Sequence, residues 1–146
     1  MYHRFDEVKY PSTNIEMNIF KEQIKIIKDL NYNFYDPGKL ENNFNIERKE
    51  KKILITIDDG FSSFYEKAWP YLKMEQIPFI LFISTEAVGK NGYMTWDQIK
   101  KIEKYPNAYI GNHSHSHEYL VNFKKKKFLK DIITANNIFE KELGYN

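Results

Sequence analysis

The stretch Ile53-Leu54-Ile55-Thr56-Ile57-Asp58-Asp59-Gly60 decides the fold. Apart from one threonine its first five residues are apolar, and most are β-branched. That is the composition of a strand buried on both faces, as in a parallel sheet. The strand stops abruptly at two adjacent carboxylates and a glycine. Asp-Asp-Gly is good turn chemistry in its own right. Two neighbouring carboxylates at a strand tip also repel each other unless a cation or hydrogen-bond donors compensate.

Outward from this point the chain alternates. A helix is expected over residues 63–75, interrupted by Pro70. Pro78 then introduces a second buried strand, Phe79-Ile80-Leu81-Phe82-Ile83. Thr95 is placed to cap a helix over 96–104, and Ala108-Tyr109-Ile110-Gly111-Asn112 reads as a third strand. Residues 123–143 form a long amphipathic pattern, apolar at Phe128, Leu129, Ile132, Ile133, Ala135, Ile138 and Phe139, with Gly144 as its C-cap. Upstream, Ile19, Phe20, Ile24, Ile27 and Leu30 recur at helical spacing within 15–30. Residues 33–35 are a short extended piece, Asp36-Pro37-Gly38 is a turn, and 42–52 is a polar loop or short edge element. Strands alternating with helices imply an α/β fold with a mainly parallel sheet. Three strands are firm, with residues 1–4 and 33–35 as additional candidates, so closure into a barrel would be partial. Residues 1–146 are expected to be one domain, incomplete at its C-terminus.

Composition removes several function classes. The chain has 146 residues and no cysteine, which excludes disulfide scaffolds, thiol catalysis and thiolate metal sites. The longest apolar run, Phe79–Ile83, is far too short to span a bilayer. Net charge is only +2, and the basic residues are Lys except for Arg4 and Arg48. A binder of phosphate backbones would show a stronger positive balance with Arg among its contacts, so nucleic acid is not an expected partner. The run Lys124-Lys125-Lys126-Lys127 reads as a solvated face or helix start.

Parallel α/β folds gather ligands at the carboxyl ends of their strands. Two polar clusters stand at such ends: Asp58-Asp59-Gly60, and, about two strand–helix units later, His113-Ser114-His115-Ser116-His117. Of the four histidines in the chain, only His3 lies outside this cluster. His113 and His117, four apart, fall on one side of a helix or tight turn, as in other zinc sites. If the segment stayed extended, His115 would share their face. If it turns at Ser114, His115 points away. With Asp59, His113 and His117 as ligands, a metal keeps an open position for water, which is the form of a catalytic site. Oxygen and nitrogen donors without sulfur suit zinc first, and cobalt, manganese, nickel or iron as well. Asp58 would then be free as a base, and Ser114 could orient a ligand.

Here the residues resemble a known family. Thr56-Ile57-Asp58-Asp59-Gly60 is similar to the Thr-Phe-Asp-Asp-Gly motif of the polysaccharide deacetylases, the NodB-homology domain of carbohydrate esterase family four, with Ile57 in the slot of the commoner Phe. Asn112-His113-Ser114-His115-Ser116-His117 is similar to that family's His-Ser/Thr-x-x-His motif, preceded by its usual Gly-Asn. Softer similarities at Tyr2-His3-Arg4, 10–15, 82–88 and Gly92-Tyr93-Met94-Thr95-Trp96 look like the bacterial branch that acts on cell-surface N-acetylglucosamine polymers. The resemblance implies a distorted (β/α) barrel, with Asp58 as general base and Asp59, His113 and His117 as ligands of a divalent metal, zinc foremost. It also implies an N-acetylated glycan substrate that yields acetate and a free amine, and a cell-envelope or extracytoplasmic setting. The opening Met1-Tyr2-His3-Arg4-Phe5 has neither the charged leader nor the apolar stretch of a signal peptide.

The family's later motifs have no counterpart in the chain. These are an Arg segment that orients the base, an Asp/Trp segment, and a Leu-x-His segment whose His protonates the leaving amine. The expectation is therefore the metal-and-base half of a deacetylase, with a catalytically incomplete metal- or glycan-binding module as the alternative. A non-haem iron oxygenase also uses two His and a carboxylate, but the ligand order and the extra aspartate argue against it.

Overall fold

The structure, a computed structural model, describes residues 1–39 and 51–145. In chain order its regular elements are β1 (Arg4–Phe5), β2 (Asn14–Ile15), α1 (Met17–Asp29), β3 (Asn33–Phe34), β4 (Lys52–Ile53), β5 (Ile55–Ile57), α2 (Trp69–Met74), β6 (Phe79–Ile83), α3 (Trp96–Glu103), β7 (Ala108–Asn112) and α4 (Lys125–Leu143). Every strand pair is parallel. The central sheet has the order β5-β6-β7, while β1-β2 and β3-β4 are two-stranded pairs. Tyr2 lies beside β5 as an isolated parallel bridge to Ile57. The sheet is open among the described residues, so the architecture is part of a barrel. No helix among them is long and apolar enough to cross a membrane.

The strands Phe79–Ile83 and Ala108–Asn112 stand where the sequence puts them. The expected strand over 53–57 is different in two respects. It is divided: Lys52–Ile53 pairs with β3, and Ile55–Ile57 pairs with β6. It is also not buried on both faces. Ile55 and Ile57 are fully enclosed whereas Thr56 is half-covered, and β6 alternates likewise, with Phe79, Leu81 and Ile83 inside. One sheet face therefore carries the core, in which these side chains join Phe5, Phe20, Ile24, Phe64, Leu72, Ile99, Ile102 and Phe139. The other face is half-open. There Gly111 lets the Phe82 ring approach, since a Cβ at 111 would lie 2.5 Å from Phe82 Cδ1.

Pro70 does not break its helix. It has no N–H to give to the carbonyl one α-turn back, and the preceding turn widens into a π-helix over Phe64–Ala68, closed by Trp69 N–H donating to the Phe64 carbonyl. The helical stretch opens at Ser62, and the Ser63 hydroxyl accepts the Phe5 N–H (3.2 Å), tying β1 to this corner. Helix α3 begins at a full capping box: Thr95 Oγ1 accepts the Gln98 N–H, and the Gln98 side chain accepts the Thr95 N–H. Gly144 ends α4 in the left-handed conformation. The apolar pattern of α4 is wider than the stripe it buries. Asp131, Ala135 and Phe139 face inward, while Phe128, Leu129 and Ile133 remain exposed. The polar element expected over 42–52 lies outside the described residues up to position 50, and Lys52 opens β4.

Candidate metal centre

Parallel pairing carries the ends of β5, β6 and β7 to one rim. Register places Ile57 beside Leu81, and Ile83 beside Asn112, so Asp58-Asp59, Ser84-Thr85 and His113 leave the sheet together. The N-terminal segment joins this rim from the far side of β5. Tyr2 donates to the Thr56 carbonyl (2.9 Å), and the Asp58 N–H donates to the Tyr2 carbonyl (2.8 Å). His3 consequently stands next to Asp58, Nε2 to Oδ2 4.0 Å. Beyond Asp58 the chain turns sharply through two left-handed residues, Asp59 (φ 73°) and Gly60 (φ 79°). The turn sends the two carboxylates to different neighbours: Asp58 faces His3, and Asp59 faces the histidine segment.

That segment is laced to the end of β6. The His113 N–H donates to the Ile83 carbonyl, Ser84 Oγ to the His113 carbonyl, Thr85 N–H to the Ser114 carbonyl and Glu86 N–H to the His115 carbonyl, at 3.0–3.2 Å. The chain turns at Ser114 (φ 68°) and again at His117 (φ 56°). Within the turn, Asn112 Oδ1 accepts the Ser114 N–H (2.7 Å) and Ser114 Oγ accepts the His117 N–H (3.1 Å). The turn brings His113 and His117 together, ring centroids 5.0 Å apart. His115 points elsewhere, with Nδ1 2.9 Å from Thr85 Oγ1.

Asp59 Oδ1 lies 2.9 Å from His117 Nε2 and 3.3 Å from His113 Nε2. The three ligand-type atoms offered by Asp59, His113 and His117 all fall within 4.8 Å of one another. Asp59 is buried, yet its Oδ1 accepts no well-aligned hydrogen bond, and the same holds for Asp58 Oδ1. A buried carboxylate oxygen left without a donor is costly. One carboxylate and two imidazoles converging on a shared point are the donor set of a divalent cation site, so the residues fit a metal.

Burial pushes the Asp59 carboxyl up, but the nearby His113, His117 and His3 imidazoles outweigh it and hold the group below the ordinary carboxylate value. The Asp59 contact raises the His113 imidazole against the opposing effect of burial, with the Asp58 and Asp59 charges adding to the rise. Exposure grows from Asp59 (buried) through His113 (half-buried) to His117 (exposed). A cavity of about 230 Å³ opens beside the triad, walled by Glu86, Lys90, Tyr93 and His115.

One neighbour of the site escapes sequence reasoning. Asp131 sits on the inward stripe of α4, where pattern reading expects apolar side chains, and both its oxygens reach the backbone of the histidine turn. An acidic residue four before Ala135 and eight before Phe139 was the available signal. His3, which the sequence leaves at the end of a possible first strand within reach of the rim, does stand there, brought to Asp58 by the pairing of Tyr2 with β5.

An open parallel α/β sheet whose carboxyl rim gathers an Asp-His-His cluster beside a second buried aspartate defines a protein of the NodB type. The chain belongs to the polysaccharide deacetylase family, whose model matches residues 45–146. It is 30% identical over 146 residues to the poly-β-1,6-N-acetyl-D-glucosamine N-deacetylase of Staphylococcus aureus, a match covering 91% of this chain and 49% of that protein. Among solved structures it is similar to IcaB from Ammonifex degensii (TM-score 0.85, 25% identity, 99% of this chain and 68% of that one). It is also similar in fold to the Streptococcus pyogenes deacetylase PplD in complex with acetate (TM-score 0.83, 22% identity, 100% and 68%). The chain spans about half the length of the curated relatives that it matches across most of its own length.

Proposed function

We propose that the protein takes part in the metal-dependent removal of N-acetyl groups from an N-acetylglucosamine-containing polysaccharide, releasing acetate and leaving a free amine on the sugar. The observation that carries this reading is Asp59 Oδ1, buried and without a well-aligned donor, facing the two Nε2 atoms of His113 and His117. Family membership supports the reaction class, and the relatives named as poly-β-1,6-N-acetyl-D-glucosamine N-deacetylases support the polymer. A cell-surface polymer would place the work at the cell envelope or outside the cytoplasm.

Asp59, His113 and His117 would hold the cation, zinc by preference among the divalent metals. A divalent cation bound there supplies Lewis acidity, lowering the pKa of water from 15.7 toward about 7 and polarising the acetamide carbonyl. Asp58 is the general base. It lies on the same turn as Asp59, is buried, and has one oxygen free of hydrogen bonds, so it can take the proton as water adds to the carbonyl carbon. The new C–O bond forms, the C–N bond breaks, and the departing nitrogen takes up a proton to leave as the free amine, a step that the family resemblance assigns to the His of the later Leu-x-His segment. His3 stands alongside Asp58, Nε2 to Oδ2 4.0 Å. The site's exposed edge, at His117, leaves room for a polymer to approach.

The test pairs zinc titration of the chain with acetate release from N-acetylglucosamine oligomers. The expected result is zinc binding that Asp59→Ala abolishes, and acetate release that Asp58→Asn abolishes while zinc binding persists. Zinc binding without acetate would replace the enzyme by a metal- or glycan-binding module of the same fold. No zinc binding by the native chain would remove the reading altogether.

A further inference from the structure

Helix α4 contributes one buried carboxylate that the reaction does not use. Asp131 shares the inward stripe with Ala135 and Phe139, where a charged group persists only if its oxygens are satisfied. Both are. Oδ1 accepts the N–H of His115 (2.8 Å) and Oδ2 accepts the N–H of Ser116 (3.1 Å). These two amides lie between the two imidazoles of the triad.

We propose that Asp131 is the positioning residue of the metal centre, gripping the turn between His113 and His117 by two consecutive backbone amides and so setting the spacing of their imidazoles. The inference rests on the metal-site reading above. Asp131 touches no ligand atom and acts only through the backbone.

The turn needs such a grip. Ser114 and His117 both hold left-handed conformations, which side-chain-bearing residues keep only when the surroundings over-determine them. One edge of the turn is tied to the Ser84–Thr85–Glu86 segment through the carbonyls of His113, Ser114 and His115. Asp131 is the tie on the other edge, and it takes the donors where the first edge takes the acceptors. A second α4 residue closes the same end of the turn: Asn136 Oδ1 accepts from Asn112 Nδ2 at 2.6 Å, while Asn112 Oδ1 holds the Ser114 N–H. The metal-binding turn is thus suspended between β6 and α4, and a loosened α4 tie lets the two imidazoles drift apart before a cation arrives.

The experiment compares the native chain with Asp131→Asn and with Ala135→Gly, a change at a buried position of the same helix that weakens α4 without touching the turn. Asparagine keeps the shape but turns an N–H₂ toward one of the two amides. Zinc affinity is read by chelator competition and stability by urea titration of the metal-free proteins. A 10–100-fold loss of zinc affinity in Asp131→Asn is expected, with Ala135→Gly losing stability but binding zinc as the native chain does. Native affinity in Asp131→Asn overturns the positioning role and leaves the metal site standing. Equal affinity losses in both variants overturn it as well, because helix stability alone then explains the effect. No zinc binding by the native chain overturns the metal site and the positioning role with it. Hydrogen exchange of the metal-free native chain decides the matter should Asp131→Asn fail to fold. The amides of His115 and Ser116 are expected to be protected like those of α4, and free exchange there overturns the role.

Discussion

Replacing Gly60 by alanine tests the turn that separates the two aspartates. Gly60 sits at φ 79°, and a Cβ there would lie 2.8 Å from Ile83 Cδ1, with Met94 Cε next at 3.8 Å. Two costs add. A left-handed alanine costs about 1–2 kcal/mol. Ile83 is fully buried, so pushing its terminal methyl aside is an overpacking cost of about 1–3 kcal/mol. Gly92 isolates the first cost, because it is left-handed too (φ 83°) but a Cβ there would meet nothing within 4 Å. Urea unfolding of the metal-free chain should therefore show Gly60→Ala less stable than Gly92→Ala by about 1–3 kcal/mol. Ile83→Val removes the clashing Cδ1 and alone costs about 0.5–1.5 kcal/mol. Combined with Gly60→Ala it should be less damaging than the two single effects summed, by about 1 kcal/mol or more. Equal stabilities for Gly60→Ala and Gly92→Ala, or strict additivity with Ile83→Val, would refute the close approach of Gly60 to the end of β6 as the reason for glycine there.

Further outcomes follow from other parts of the structure. Asp58→Asn should lower kcat by about 10²–10⁴-fold with zinc affinity unchanged, measured by acetate release and chelator competition. Thr95→Ala removes the cap of α3 and should cost about 1 kcal/mol in urea titration. Zinc at 100 times its dissociation constant should stabilise the native chain by about 2.7 kcal/mol and leave Asp59→Ala unmoved, read by thermal unfolding with and without chelator. The Tyr109 hydroxyl donates to Asp36 at 2.6 Å, and this bond, against a smaller effect of burial, holds the Asp36 carboxyl below its ordinary value. A depressed carboxyl stabilises the fold above its unfolded pKa and loses that contribution as pH falls through the folded value. Tyr109→Phe should therefore flatten the acid limb of stability below about pH 4 and move the Asp36 NMR titration upward.

Much of the fold was legible because its signals are local. β6 and β7 are short apolar runs bounded by Pro78 and by the polar rim, and the Thr95/Gln98 cap is a pairing three residues apart. What stayed hidden depends on partners distant in sequence. Nothing within 53–57 reveals that its first half pairs with β3 and its second with β6. Pro70 signals an interruption, but whether the helix breaks or widens depends on the carbonyls left without its N–H, and here the Trp69 N–H reaches back to Phe64. The site divides the same way. The residue types and the shared rim follow from two strand tips in a parallel sheet. The closing of Asp59 on His113 and His117 follows from left-handed turns at 59, 114 and 117 that no pattern in the sequence announces. Asp131 was unreadable as a partner because the amides it binds lie 15 and 16 residues away in a loop.

Those turns also indicate where the molecule stores strain. Among the described residues, six that are not glycine have positive φ: Asp6, Asn31, Asp59, Gln76, Ser114 and His117. Asn31 and Gln76 follow the ends of α1 and α2, where a left-handed residue closes a helix. Asp6 accepts the Met17 N–H at the start of α1. Each of these three has an ordinary structural reason. The other three are two members of the Asp-His-His cluster and the serine between its histidines, and none of them ends a helix. Left-handed backbone in such residues persists only when neighbours impose it, and here the neighbours are the β6 carboxyl end, Asn112 and Asp131. A fold with no use for the convergence of Asp59 with His113 and His117 could relax all three turns and give the buried Asp59 oxygen a well-aligned donor. That the strained turns and the convergence of Asp59 Oδ1 with two imidazole nitrogens fall at the same place is the physical argument behind the proposed cation site.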